Sequence, residues 1–400
     1  MAASEGLPID YWLRNNGFRK HPFQNTEAEG DPDLEEYFVE PDCFSDILGN
    51  ACEPKSAVLF APRGGGKTAN RVIVDRWCRT GNKTGGNVFS IVYTDFDYLL
   101  ASVVSTDGIN YALSLNVHHH TAEIMKAAMV RLLELWLKNP RLCSKTTNAP
   151  FNVRSYVSHW LELYNERLEP NRVQQLFAII QELPTAHIEV EKFPATPTQD
   201  FYALEILIRT MGLDAIYVLV DRVDEFIPAA SDPNLGALFL APLISHLPLM
   251  EHDGVAFKFF LPTEMSAALV SRHLLRPERL TVREVTWSNE ELAEVLHARL
   301  QAFSNGKIPT LDAVSVPELR GEIDQALVRT AHGSPRNLVL LGATLFNVHT
   351  RLSQNSDFLI TREELELTIS QFNAQKEKEK SLQPRTVGFE TRPTAVRRQV

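Results

Sequence analysis

The stretch Val58-Leu-Phe-Ala61-Pro-Arg63-Gly64-Gly65-Gly66-Lys67-Thr68 limits what this chain can become more than any other. Val58 to Phe60 are apolar and suit the end of a buried strand. Gly64 to Gly66 permit backbone conformations that residues with a side chain resist. From Thr68 onward, Ala69, Val72, Ile73 and Trp77 follow a helical spacing. A strand that passes through glycines into a helix aims its amide N–H groups and the positive helix end at one place, which suits an anion. Lys67 can reach the outer oxygens of a polyphosphate there, and the Thr68 hydroxyl can ligate Mg²⁺. A loop that only reverses the chain has no need of Lys-Thr after its glycines.

A second stretch supplies what the first lacks. Tyr217-Val-Leu-Val220 is wholly apolar, as a strand buried on both faces should be, and it runs into Asp221-Arg-Val-Asp224-Glu225. A carboxylate at the carboxyl end of such a strand meets the ligand crevice of an open α/β sheet. Asp221 can hold Mg²⁺ through water, while Asp224 or Glu225 orients or deprotonates an attacking water.

The remaining apolar runs complete a parallel α/β sheet. Val88 to Tyr93 reads as the strand after the first helix, Val255 to Leu261 as another, and Thr281 to Trp287 as the last. Thr263, with Glu264 as the alternate, follows the Val255 to Leu261 strand and can touch a terminal phosphate or the attacking water. Lys258, inside that strand, is expected to pair with a carboxylate or to reach the sheet rim. Between the second and third strands, residues from about 108 to 194 carry helical periodicity and read as an inserted helical subdomain. His118-His119-His120 at its start cannot all face one metal from a regular helix, so a solvated loop or helix start is expected.

Residues 1–50 form an N-terminal arm before a core at 51–287. Phe23, and the aromatic pair Tyr37-Phe38, can either cover a nucleotide base or pack the arm onto the core. From Ser288-Asn-Glu-Glu291 an all-helical region runs to about residue 372. Inside it, Ser334 suits a helix N-cap and Pro335 the first helical position. Arg336 therefore falls in a first turn, where a cation is unfavoured until an anion comes close. The charged, apolar-poor segment 373–400 is expected to be disordered.

Composition bounds partners. Net charge is −10 and pI about 5.7, so nucleic acid is a possible partner that the charge does not support. Cys43, Cys52, Cys78 and Cys143 show neither metal spacing nor a disulfide framework, which fits a reducing, cytoplasmic setting. The most apolar run, Leu235 to Met250, falls short of a membrane span of ~20 residues and reads as a buried helix or helix pair.

Residues 61–68 and 217–225 resemble the two nucleotide motifs of P-loop ATPases, the first with Ala61 where the pattern opens with glycine. If that backbone needs a positive φ, alanine costs about 1 kcal/mol. With Thr263, the arginines Arg276 and Arg279 before the last strand, and Gly333 to Arg336, the chain resembles the AAA+ and STAND grouping, near its bacterial origin-recognition-like and NACHT-like ATPases. The resemblance implies a doubly wound parallel sheet under a helical lid, with ATP and Mg²⁺ between them. It implies a nucleotide loop of Arg63 to Ala69, metal ligands Thr68 and Asp221, and catalytic roles for Lys67, Asp224, Glu225, Thr263 and Arg336. Arg276 or Arg279 would act across a subunit interface. The function implied is an ATP-hydrolysing switch controlling an effector or assembly, plausibly in bacterial defence or a mobile element. Alternatives are a nucleotide-dependent scaffold with little hydrolysis, or a DNA-dependent loader.

Overall fold

The computed structural model describes residues 8–80, 87–101, 115–162, 170–183, 196–225, 232–352 and 359–382. Five parallel strands form one sheet: β1 (Ala57–Ala61), β2 (Val88–Tyr93), β3 (Ala215–Val220), β4 (Val255–Pro262) and β5 (Thr281–Glu284), in the order β2-β3-β4-β1-β5. Every residue of β1, β3 and β4 is buried, the reason these segments read as unbroken apolar runs. Val58, Phe60, Val218, Val220, Phe257 and Phe259 face one core, shared with the Val117–Lys138 and Pro197–Thr210 helices. Ala57, Leu59, Ala61, Tyr217, Leu219 and Phe260 face the other, against Val74 and Cys78 of the Lys67–Thr80 helix.

Parallel pairing puts the carboxyl ends of the strands on one edge. Ala61 pairs with Pro262 and Val220 with Phe259, so the glycine loop, Asp221 and Thr263 leave the sheet side by side. The last strand is shorter than its apolar pattern suggests: pairing stops at Glu284, after which the Val285 N–H donates to Phe60 O.

Helices Val117–Lys138, Val153–Glu162, Pro170–Glu182 and Pro197–Thr210 lie between β2 and β3. Residues 108–114, 163–169 and 184–194 of the expected insertion fall outside the described residues. The triple histidine is a helix start. Asn116 caps it, His119 closes the capping box, and His120 is buried between the Tyr93 hydroxyl and Phe239 O. Burial pushes the His120 imidazole down to about 4. Leu235 to Met250 lies across two short buried helices, Pro233–Ile244 and Leu247–Met250.

Beyond β5, helices Asn289–Ser304, Ile323–Ala331, Pro335–Leu352 and Arg362–Leu382 build a second core. The first begins at a capping box of Ser288 and Glu291. Trp12, Leu13, Phe18 and Phe23 of the N-terminal arm are part of this core, so the arm is integral to the helical region. The expected disordered tail is corrected in part: residues 373–382 continue the last helix, whose Phe372 and Leu365 are anchored in the core. Residues 383–400 lie outside the described residues.

Lys258 is fully buried in β4. Its Nζ donates to Lys55 O, two residues before β1, at 2.7 Å, and lies over the Tyr217 ring at 4.8 Å. Among the described residues no helix is long and apolar enough to cross a membrane, no His/Cys/Asp/Glu group is arranged to hold a metal, and the four cysteines are free.

Candidate functional site

The glycine loop is shaped by contacts that exclude side chains. Gly64 and Gly66 stand at φ +81° and +95°. A Cβ on Gly64 would come within 2.8 Å of Ser334 Oγ, and one on Gly65 within 2.9 Å of Pro62 O. Ala61 is the last residue of β1, paired in extended backbone with no positive φ, so alanine carries no conformational cost there. Lys67 is nearly buried. Its Nζ donates to Ala61 O at 3.3 Å and lies 3.5 Å from Asp224 Oδ2.

Asp221 is 1% exposed. Its Oδ1 accepts from the Arg222 N–H at 2.8 Å, and Thr68 lines the same cleft beside it. Burial raises its pKa, opposed by the Arg71 guanidinium, whose Nε lies 3.5 Å from Oδ2. Among the described residues Asp221 Oδ2 has no hydrogen-bond partner, although it is buried. A threonine and a buried carboxylate on one cleft, one carboxylate oxygen unsatisfied, beside a glycine loop and a lysine, fit hard-cation and polyphosphate chemistry. Glu225 is half exposed, and its Oε2 accepts from Arg222 Nε at 2.6 Å.

These groups line a cleft of about 680 Å³, a volume that suits a nucleotide-sized ligand. Arg63, Gly64, Gly66, Lys67, Thr68, Ala69, Asp221, Asp224, Glu225 and Arg336 all line it. The helical region closes one side. Trp287 Nε1 donates to Gly65 O at 2.9 Å, the Arg336 N–H to Gly64 O at 3.3 Å, and Ser334 Oγ to the same oxygen at 3.4 Å. Ser334 Oγ also accepts from the Asn337 N–H, the capping bond its position implies.

Four expected site residues stand elsewhere. Phe23 is 1% exposed, edge-on to Phe346 and against Gly342, so its ring fills the helical core and does not line the cleft. Tyr37 and Phe38 line it instead. Thr263 is off the lining, its hydroxyl buried without a partner, whereas Glu264 is on it. Arg276 and Arg279 are exposed outside the cleft, with Arg279 paired to Glu251.

Sequence reasoning missed Arg71, Arg222, Trp287 and Arg299. Arg71 is four residues after Lys67 and thus on the same helix face, a signal available in principle. It also pairs with Glu29 of the arm. Arg299 carried no local signal. Buried, it donates to Pro22 O and Asn25 O at 2.9 Å each and stacks 4.1 Å over the Tyr37 ring, while Tyr37 donates to Asp31. The arm is thereby fixed across the cleft mouth.

No family model and no curated protein matches the chain. Among solved structures, it is similar to the Orc1 protein of Aeropyrum pernix, solved in complex with DNA, at 13% identity and a TM-score of 0.41, covering 89% of this chain and 71% of that one.

Chemically, the cleft offers a buried carboxylate and a half-buried threonine hydroxyl for a cation, a lysine for an anion, and two more exposed carboxylates, Asp224 and Glu225. It is walled by three elements: sheet edge, arm and helical region.

Proposed function

We propose that the chain binds ATP with Mg²⁺ in this cleft and hydrolyses it as a P-loop ATPase of the AAA+/STAND kind, a doubly wound core under a helical lid. The observation that carries the reading is the meeting of two segments distant in the chain: Lys67 Nζ lies 3.5 Å from Asp224 Oδ2, and Thr68 and Asp221 line the same cleft. Lys67 and the Gly64–Ala69 amides hold the phosphates, with Arg63 beside them. Thr68 and Asp221 would hold Mg²⁺, which when bound neutralises charge on the terminal phosphates. Glu225, with Asp224, orients the water and takes its proton. Glu264 and Thr263 sit at the β4 end of the same edge, Arg336 serves the phosphates from the helical side, and Arg276 or Arg279 acts on a neighbouring copy.

Nucleotide state has a physical route to a partner. Gly64 O accepts from Arg336 N and Ser334 Oγ, so a phosphate that moves the loop moves the helical region. We take the partner to be a second copy or an effector protein in the cytoplasm, in a defence or mobile-element setting. A scaffold that hydrolyses little is the second reading, favoured by the ion pair that occupies Glu225.

Phosphate release and nucleotide titration on purified protein test the site. Lys67→Ala should lose binding, and Glu225→Gln should keep binding while hydrolysis falls about 100-fold or more. Wild-type hydrolysis rates in both variants would rule the assignment out.

A further inference from the structure

Arg222 stands at φ +67° directly after the buried Asp221. That left-handed conformation suits glycine and costs another residue about 1 kcal/mol. The backbone bonds at this position, Arg222 N–H to Asp221 Oδ1 and Glu225 N–H to Arg222 O, would both survive in glycine. What arginine adds is its side chain, 42% exposed and therefore not core packing. Among the described residues that side chain makes a single ion pair, with Glu225, of the exposed kind that contributes little stability. A strained position thus carries a guanidinium whose folded-state contacts do not account for it.

The cleft supplies the account. Three cations of the catalytic end each face a carboxylate: Lys67 faces Asp224, Arg71 faces Asp221, and Arg222 faces Glu225. Lys67 and Arg71 are nearly buried, so either leaves its carboxylate only where another anion takes that place, and at a desolvation cost. The Arg222–Glu225 pair is in solvent and exchanges at low cost. Its planar fork of donors matches a phosphate.

We propose that Arg222 distinguishes a triphosphate from a diphosphate. It rests on Glu225 until a terminal phosphate enters, then transfers to that phosphate and leaves Glu225 free. This rests on reading the cleft as a nucleotide site.

The test is calorimetric titration of ADP and a non-hydrolysable ATP analogue, beside thermal melting of nucleotide-free protein. Arg222→Gly and Arg222→Ala should each weaken the analogue about tenfold, as loss of one charge-assisted hydrogen bond does, and leave ADP within about twofold. Arg222→Gly should melt higher than Arg222→Ala, because only glycine relieves the backbone. Glu225→Gln, which removes the competing charge, should widen the preference for the analogue. Equal weakening of both nucleotides, no weakening, or a preference unmoved by Glu225→Gln overturns the exchange. Wild-type protein that binds neither nucleotide overturns the cleft reading, and the exchange with it.

Discussion

The Lys67 ammonium is held between the Asp224 carboxylate, 3.5 Å away, and Ala61 O, 3.3 Å away. A side chain 8% exposed has few other ways to satisfy its charge. Asp224 thus serves as a counter-ion where no phosphate does. Asp224→Ala should lower the stability of nucleotide-free protein by about 1 kcal/mol, because the aspartate is a quarter exposed. Nucleotide then restores the missing charge, so the ATP-induced rise in Tm should be larger than in wild type. An equal or smaller rise would show that Lys67 does not exchange Asp224 for phosphate.

Phe23 stabilises the helical core. Its ring sits 2.7 Å from where a Cβ on Gly342 would lie, at three ring atoms. Gly342→Ala, normally favourable inside a helix by about 1 kcal/mol, should here destabilise by about 1–3 kcal/mol through overpacking. Phe23→Leu should lower Tm and leave nucleotide affinity unchanged. A Phe23→Leu chain with a weakened nucleotide Kd and unaltered Tm would return the ring to the ligand.

Trp287 joins the sheet to the helical region through its bond to Gly65 O. Trp287→Phe keeps most of the apolar contact and removes one hydrogen bond, at a cost of about 1 kcal/mol. Hydrogen exchange should speed at Gly64 to Lys67 and at the start of the Pro335–Leu352 helix together. Acceleration at neither place would mean that Trp287 does not couple them.

Lys258 makes stability depend on pH. Burial pulls its pKa from 10.5 to about 7. A folded value below the unfolded one means that the lysine's contribution is fully present above about 10.5 and is lost as pH falls through about 7. Wild-type Tm, measured relative to Lys258→Met, should therefore climb between pH 7 and pH 10. A constant difference across that window would refute the buried neutral lysine.

Asp200 has the opposite sign. Burial raises its pKa from 3.8 to about 7, and one carboxyl oxygen has no partner. A folded value above the unfolded one gives a contribution that is complete below about 3.8 and lost as pH rises through about 7. Asp200→Asn should stabilise the protein near pH 8 and make little difference near pH 4, by chemical denaturation at both.

The strands and the glycine loop were legible in the chain because burial on both faces demands unbroken apolar runs and a turn through positive φ favours glycine. Val58–Phe60, Tyr217–Val220 and Val255–Leu261 all lie in strands, and Gly64 and Gly66 hold the positive φ that only glycine adopts freely. The helix starts at Ser288 and Ser334 were readable for the same local reason, a side chain satisfying its own backbone. Local signals also misled. An aromatic residue near a loop says nothing about which core claims it, and Phe23 went to the helical one. An alternating-charge stretch at 373–382 is helical because its first turns are anchored by Leu365 and Phe372.

Alone, the amino-acid order determined which segments could be strand, loop and helix, and which side chains could meet a phosphate or a cation, since those follow from periodicity and donor chemistry. Tertiary structure decided the pairings. Arg71 with Asp221, Arg222 with Glu225, and Arg299 under Tyr37 each join positions that no local pattern links. Charges separated by long stretches of chain become partners only when the sheet, arm and helices close on one another, where loss of water makes each pairing count.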